Sequence, residues 1–323
     1  MESGRKHYSE THWLRSEDTH RALEAYLEQQ SKAYSRVKNA FVAELLGDLS
    51  GKRFLDYGCG GGMFAVHAAK HGALDVVGVD ALDTALSTAA YFARREGVGH
   101  RCVFIRSDEF PVLGLRPKFD VILMKDVIEH VPDDQGLLEA AAEALVPGGL
   151  LVVSTQSSFS LNYLIQGTYR RHICGEKDWC GWDDTHLRFY TPMVLKRKLK
   201  NAGLRTESWR SAYLVPYKLP RPSGSTRQFL RLDALSWLER ALGWVFPYNR
   251  LGWSLIVSAR SSRLVTRRSP FSSPLPLEIP GAPVLIARRS VGLGEQSLSL
   301  LPTHCFMSNG SITMNDVDQV MRT

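Results

Sequence analysis

Residues 55–62 read LDYGCGGG, an apolar strand end followed by four glycines within five positions. Because glycine has no side chain, the backbone at positions 58, 60, 61 and 62 can approach a ligand closely. The next acidic residue at a strand end is Asp80, at a separation that suits a ribose-binding carboxylate. The pattern predicts a nucleotide-containing cofactor above a helix N-terminus, at the carboxyl edge of a parallel sheet.

Strand-length apolar runs alternate with helical patterns from residue 52 onward, which is typical of a parallel sheet with helices on its faces. The predicted strands are RFLDYG, DVVGVD, CVFIRSD, FDVILMKDV and LLVVSTQ, followed after residue 200 by LRTESWRSAY and WSLIVSA. The fold class is therefore α/β. We expect a doubly wound, seven-stranded, mostly parallel sheet with a helical N-terminal cover and an inserted cap.

The chain divides into three predicted parts. Residues 1–50 form a helical cover over the cofactor cleft, and residues 51–260 form the catalytic domain. Within that domain, 157–190 is a cap or substrate loop. Residues 213–250 are an amphipathic insertion whose helix faces the core with Leu235, Leu238, Leu242 and Val245. Residues 264–323, rich in Ser, Pro and Arg, are predicted to be a mostly disordered tail.

A dinucleotide-binding dehydrogenase has a similar outline, and two residues argue against it. Its GxGxxG motif needs a small residue at position 63, where this chain has Met63. Asp56 lies two residues before the first glycine, where a carboxylate would repel a pyrophosphate but can pair with a cationic amino-acid group. The sequence favours a cofactor with an amino-acid moiety.

The ordered set LDYGCGGG, VVGVD, SDEF, FDVILMKDVIEHVPD and LVPGGLLVVST resembles the class I methyltransferases that use S-adenosylmethionine (SAM), over about residues 36–260. The resemblance implies a Rossmann-like methyltransferase fold, with Asp56 organising the loop and the ammonium group, Asp80 binding the ribose and Asp108 meeting the adenine amine. The other cofactor-binding positions that it implies are Gly58, Gly60, Gly62, Ala81, Glu109 and Lys125.

The segment DVIEH, residues 126–130, follows a strand at the predicted cleft. It looks like the ExxEH segment of the ubiquinone-biosynthesis O-methyltransferases, with Asp126 in place of the first Glu. The resemblance implies a divalent metal such as Mg²⁺ on Asp126, Glu129 and His130. Alternatively His130, with Glu129, acts as a general base, or the pair only caps the following helix.

A second candidate is THLRFYTP, residues 185–192, where His186 and Tyr190 could meet the acceptor. The competing interpretation makes the aromatic residues part of the core. His172, Cys174, Cys180 and His186 have the residue types of a zinc site, but their spacings do not match the paired short spacings of structural zinc sites.

The composition of the chain bears on its cellular location. The N-terminal segment is polar throughout and no stretch is apolar for about 20 residues, and the five cysteines contain no CxxC pair. We therefore expect a soluble protein of the reducing cytoplasm. The net charge is +7, with 17 Lys or Arg against 7 Asp or Glu in residues 161–260. Residues 226–246 could make a peripheral contact at the inner membrane face.

Together these features predict a SAM-dependent methyltransferase that methylates a small-molecule or lipid-like acceptor at oxygen. Methyl transfer to nitrogen or carbon is an alternative, as is a non-catalytic SAM-binding scaffold protein. Nucleic acid ranks low as a partner, because no RNA-binding module or base-flipping motif is present.

Overall fold

The computed structural model describes residues 12–107, 119–179, 181, 185–214, 218–220, 226–228, 232–262 and 286–287. Its strands are β1 Arg53–Tyr57, β2 Asp75–Asp80, β3 Cys102–Arg106, β4 Phe119–Lys125, β5 Leu145–Gln156, β6 Leu204–Ala212, β7 Lys218–Pro220, β8 Thr226–Gln228, β9 Ser254–Ser261 and β10 Ile286–Ala287. The seven predicted strands are β1–β6 and β9, so the prediction is confirmed. β10 adds a two-residue edge strand, and β7 and β8 pair with each other in a separate ribbon.

The main sheet has the order β10-β3-β2-β1-β4-β5-β9-β6. β9 is antiparallel to both of its neighbours, and the other pairs are parallel, as predicted. β1 pairs with β2 on one side and with β4 on the other. The strand order therefore reverses at β1, and a ligand crevice is expected at the carboxyl ends of these central strands.

Helices cover both faces of the sheet. They are α1 Thr19–Ser31, α2 Ala33–Leu46, α3 Met63–Lys70, α4 Asp83–Arg95, α5 Asp134–Ala144, α6 Leu161–Thr168, α7 Pro192–Asn201 and α8 Leu232–Leu242. Successive strand residues enter opposite cores, as the period of two requires: Phe54 packs with α1–α4, and Leu55 packs with α5 and α7.

The helical N-terminal cover is confirmed from residue 12 onward. The Asp18 carboxylate caps α1 by accepting hydrogen bonds from the amides of His20 and Arg21, at 2.8 and 3.2 Å. An ion pair of 2.7 Å between Arg95 and Glu24 ties α1 to α4. The cover is docked on the domain because its buried side chains belong to the first core.

The predicted cap contains α6, which continues as a π-helical turn at Tyr169–Ile173. In the amphipathic insertion, the prediction that Val245 faces the core is wrong. The helix α8 ends at Leu242, and the next residue, Gly243, packs so closely on the Ser211 carbonyl that a Cβ would lie 2.4 Å from its oxygen. Val245 follows in a turn and is exposed.

The three-part division of the chain stays a prediction. Of residues 264–323, the structure describes Ile286–Ala287 as β10, and the rest lies outside the described residues. None of the described helices has the length and apolarity needed to cross a membrane.

Candidate active site

The turn after β1 has a conformation that glycine alone adopts readily. Gly58, Gly60 and Gly62 have φ angles of 78°, 52° and 84°. A Cβ on Gly62 would lie 2.8 Å from the Cβ of Ala89, and a Cβ on Gly58 would lie 2.5 Å from a Val127 methyl carbon. The turn therefore depends on glycine for both its backbone angles and its close packing. It brings the N-terminus of α3 to the carboxyl edge of the sheet.

Asp80 ends β2 beside this turn. Its two carboxylate oxygens accept hydrogen bonds from the amides of Gly60 and Leu82, at 2.9 and 3.0 Å. Burial raises the pKa of Asp80. These two amides orient the carboxylate at the edge where Ala81 begins the next loop, so the geometry is compatible with the predicted binding of a ribose.

Asp56 is a buried carboxylate on the other side of the turn, with one oxygen lacking a hydrogen-bond partner among the described residues. Burial raises its pKa to about 7, and the nearby Lys125 ammonium opposes that rise. Burial also lowers the pKa of Lys125. A buried acceptor without a partner is costly, and an incoming ammonium group would satisfy it.

Tyr26 on α1 lies over the glycine turn, and sequence reasoning did not identify it. A Cβ on Gly61 would lie 2.6 Å from the Tyr26 ring, and the Met63 amide donates to the phenol oxygen at 3.4 Å. The ring thus covers the turn from the N-terminal side. The predicted helical cover over residues 1–50 indicated that a helix would lie here, but it did not indicate this contact.

Asp126 lies directly after β4 with a φ of 57°, which is uncommon for a residue with a side chain. Both of its carboxylate oxygens accept hydrogen bonds from the ammonium of Lys38 on α2. The Ser154 hydroxyl donates to it at 3.0 Å, and Lys125 lies 3.8 Å away. Burial opposes ionisation, but the two lysines lower the pKa of Asp126 to about 2.

Glu129 is fully buried near Asp126. One carboxylate oxygen accepts a hydrogen bond of 2.8 Å from the Thr155 hydroxyl, and the other has no partner among the described residues. Burial first, and then the negative charge of Asp126, raise the pKa of Glu129 to about 8. Two neighbouring carboxylates thus have opposite protonation preferences, which is a feature of functional sites.

The structure brings His130 and His186 together. Their ring centroids are 4.7 Å apart, and His130 Nδ1 lies 3.2 Å from the Thr185 carbonyl oxygen. The Thr185 hydroxyl also lies 3.3 Å from Nδ1, so a protonated Nδ1 donates to the carbonyl, whereas an unprotonated Nδ1 accepts from the hydroxyl. Glu129, His130 and His186 each offer a ligand atom within 4.8 Å of the others. Asp126 is not in this group, which corrects the predicted metal set.

A network of polar contacts holds the two histidine segments in place. The Arg188 guanidinium donates to the carbonyls of Val131 and Pro132, at 2.8 and 2.7 Å, and forms an ion pair of 3.1 Å with Asp134. The Tyr190 hydroxyl donates to Asp134 at 2.6 Å and is almost fully buried. Tyr190 is therefore a core residue rather than a contact for the acceptor, because its hydroxyl is used in the network.

Aromatic rings continue from His186 into the cap. The Phe189 ring meets His186 edge to face at 5.6 Å and lies 5.6 Å from the Trp253 ring. Tyr163 on α6 stacks on Trp253 at 5.9 Å. An apolar, aromatic wall therefore borders the imidazole pair on the cap side.

The site has a cofactor half around the glycine turn, Asp56 and Asp80, and an acceptor half around Asp126, Glu129, His130 and His186. Some predicted residues lie in neither half. Asp108 and Glu109 lie outside the described residues, as does Cys180. Within the described ranges, the group of potential metal ligands includes neither His172 nor Cys174.

Comparisons with known proteins agree with this geometry. Residues 26–208 match a family described as a methyltransferase domain. A ubiquinone biosynthesis O-methyltransferase from Idiomarina loihiensis is 32% identical over 187 residues, which are 56% of this chain and 73% of the relative. The enzyme of the same name from Alkalilimnicola ehrlichii is 31% identical over 194 residues, covering 55% of this chain and 72% of the relative.

A solved structure shares the fold. It is the complex between the Haloferax volcanii Trm112 methyltransferase activator and a methyltransferase, with a TM-score of 0.51 and 16% identity. The superposition covers 75% of this chain and 96% of that chain. At this identity the likeness concerns the fold alone.

Proposed function

Because the chain belongs to the family of SAM-dependent methyltransferases, we propose that it methylates a hydroxyl oxygen of an apolar, lipid-like small molecule. The observation that carries the proposal is the imidazole pair of His130 and His186, which lies at the same sheet edge as the glycine turn. The aromatic wall formed with Tyr163, Phe189 and Trp253 suits an apolar acceptor. The names of the two relatives support an oxygen acceptor, since both are ubiquinone biosynthesis O-methyltransferases.

The residues of the cofactor half fit SAM. Asp56 has a buried oxygen that can accept a hydrogen bond from the ammonium group, and Asp80 is oriented to accept from ribose hydroxyls. Within the glycine turn, a Cβ on Gly60 would meet nothing within 4 Å, so the backbone there is open to the sugar and methionyl part. Ala81 and Lys125, with Asp108 and Glu109, complete the proposed cofactor set.

Bound SAM supplies an electrophilic methyl group, so the protein chiefly aligns the acceptor and removes its proton. In the tautomer whose Nδ1 donates to the Thr185 carbonyl, Nε2 of His130 is the general base. The Thr185 bond holds the ring, and His186 packs against it. The Glu129 carboxyl, which Thr155 orients, offers an oxygen within 4.8 Å of a ring nitrogen of both His130 and His186.

The residues present do not fit Mg²⁺. This ion prefers an octahedral shell of carboxylates and waters, but the Asp126 carboxylate is held by Lys38. The remaining group consists of one carboxylate and two imidazoles, and imidazole suits transition metals better.

We also propose a peripheral contact with a lipid surface through the end of the predicted segment 226–246, with a cytoplasmic location at the inner face. Trp237, Trp244 and Phe246 are 68%, 57% and 70% exposed, and Arg240 is exposed beside them. Tryptophan and arginine are common at membrane interfaces. Co-sedimentation with anionic vesicles should fall when Trp244 and Phe246 are both replaced by Ser, and equal sedimentation would refute the contact.

Product analysis tests the reaction. The protein is incubated with labelled SAM and paired acceptors, a phenol with an apolar side chain and the corresponding aniline, and the products are identified by mass spectrometry. We expect methylation of the phenol oxygen. Methylation of the aniline nitrogen or of a ring carbon would refute the acceptor atom. Tight binding of S-adenosylhomocysteine without any product would favour a scaffold protein.

A further inference from the structure

Lys38 is the only residue of the acceptor half, as the structure describes it, that comes from the N-terminal helices. Its side chain is 3% exposed, and its ammonium contacts both carboxylate oxygens of Asp126. A buried lysine needs such a partner, because an isolated ammonium in the interior is very costly. The pair therefore fixes the position of Asp126, the residue that replaces the first Glu of the ExxEH segment.

Both partners of the pair are held by further contacts. The ammonium of Lys38 lies 5.7 Å above the Tyr34 ring, and the Tyr34 hydroxyl is 2.9 Å from the Ser254 hydroxyl. Asp126 is held by Ser154, through its side chain at 3.0 Å and through an amide-to-carbonyl hydrogen bond of 2.9 Å. If Lys38 moved away, its ammonium would lose the ion pair with Asp126 and the contact with the Tyr34 ring.

The ammonium stands where a metal ion would have to bind Asp126. A cation at this carboxylate would displace Lys38 into apolar surroundings and leave a buried charge without its partner, which is strongly destabilising. The other members of the segment, Glu129 and His130, group with His186 instead. The positive charge beside Asp126, the first residue of the segment, is therefore the ammonium of Lys38.

We propose that Lys38 is a positioning residue that replaces a divalent cation at Asp126, so that the reaction requires no metal ion. This proposal rests on the proposed O-methylation. Lys38 neutralises Asp126 and keeps its carboxylate away from the imidazole pair. His130 then remains available as the base, and the positive charge beside the cleft comes from the ammonium.

The test uses the full chain and the phenol acceptor. The wild-type enzyme is dialysed against EDTA and assayed alone, with Mg²⁺ and with Zn²⁺. We expect the rate to stay within about twofold in all three conditions. Inactivation by EDTA with recovery on adding either ion would overturn the proposal. If wild-type protein forms no product under any of these conditions, it is the proposed function that fails.

The variant Lys38→Met should lower the rate about 10²-fold, as loss of a fixed charge in an active site does, while S-adenosylhomocysteine binds within about threefold of wild type. Mg²⁺ should restore part of the rate of this variant, because the Asp126 carboxylate has then lost the ammonium that contacts both of its oxygens. Lys38→Arg should retain more activity than Lys38→Met. A wild-type rate for Lys38→Met, or no response of its rate to Mg²⁺, would contradict the proposal.

Two further variants separate positioning from folding. Lys70→Met removes another ion pair, the 3.0 Å contact with Glu96 at the far end of α3, and should keep the wild-type rate and metal response. The double variant Lys38→Met with Asp126→Asn leaves no lone buried charge and should fold even if Lys38→Met does not. We expect it to be slow and insensitive to Mg²⁺, and stimulation of its rate by Mg²⁺ would overturn the role given to Asp126.

Discussion

The cofactor half of the cleft and the acceptor half are built in different ways. The glycine turn at 58–62 and Asp80 follow adjacent parallel strands, and they are joined directly by the Gly60 amide. The acceptor half collects Lys38 from α2, Asp126 and His130 from the loop after β4, and His186 from the end of the cap. The cofactor site is therefore built from residues of consecutive strands that lie close in sequence. The acceptor site depends on the packing of elements that lie far apart in sequence.

The sharpest test of the comparison is His130→Ala. It should lower turnover by about 10²- to 10⁴-fold, because the base is lost, and should leave the affinity for S-adenosylhomocysteine within about threefold. Steady-state kinetics and calorimetry measure the two effects. His100→Ala, in the exposed turn before β3, is the matched control. If both variants turn over equally, His130 has no part in the chemistry.

Gly62→Ala should affect the cofactor half instead. The new Cβ would meet Ala89 at 2.8 Å in a backbone conformation with a φ of 84°, and strain of about 3 kcal/mol corresponds to roughly a 100-fold loss of S-adenosylhomocysteine affinity. Gly97→Ala has a φ of 75° but nothing within 4 Å. This control should bind normally, and equal loss in both variants would mean that backbone strain, not crowding at the turn, decides binding.

Arg188→Ala tests whether distant packing shapes the acceptor half. Removing the contacts with Val131 and Pro132 should loosen the segment that carries His186, with about a tenfold drop in turnover for a small misplacement. Arg205→Ala removes an exposed arginine that pairs with Glu207 and should change little. Histidine NMR signals that stay unshifted in Arg188→Ala would argue against the positioning role.

The pH dependence of cofactor binding tests Asp56 in the cofactor half. The pKa of Asp56 is raised to about 7, so the carboxyl is largely protonated below that pH and cannot pair with an ammonium group. The affinity for S-adenosylhomocysteine should therefore rise as pH increases through 7, by at most about tenfold per unit. Calorimetry between about pH 5.5 and pH 8.5 measures this affinity on both sides of the Asp56 pKa. Asp56→Asn should bind weakly and without that slope, and an unchanged slope would exclude Asp56 as its source.

Much of the fold followed from the sequence, because strand length and the alternation with helices are local patterns. The glycine turn and Asp80 were predictable for the same reason. The partner of Asp126 was not predictable, since Lys38 lies on α2, 88 residues away in the sequence, and the contact depends on tertiary packing. A signal was nevertheless present: Lys38 follows Val37 and precedes Phe41 in an amphipathic helix, where a core-facing lysine requires a buried partner.

The grouping of His130 with His186 could be expected only in part. Both segments were recognised from residue type, but their approach depends on the network of Arg188 and Asp134. The misjudged position of Val245 has a similar cause. Helical spacing described α8 correctly up to Leu242, where the helix ends and Gly243 packs closely on Ser211.

The N-terminal helices bear on how such enzymes can be recombined. Tyr26 of α1 touches the glycine turn, and Lys38 of α2 holds Asp126. A chimera with the first 46 residues of a relative would therefore change two things at once. It would change the ring that covers the cofactor turn and the charge beside the acceptor. These helices are not an interchangeable module, and their divergence must be compatible with both binding sites at once.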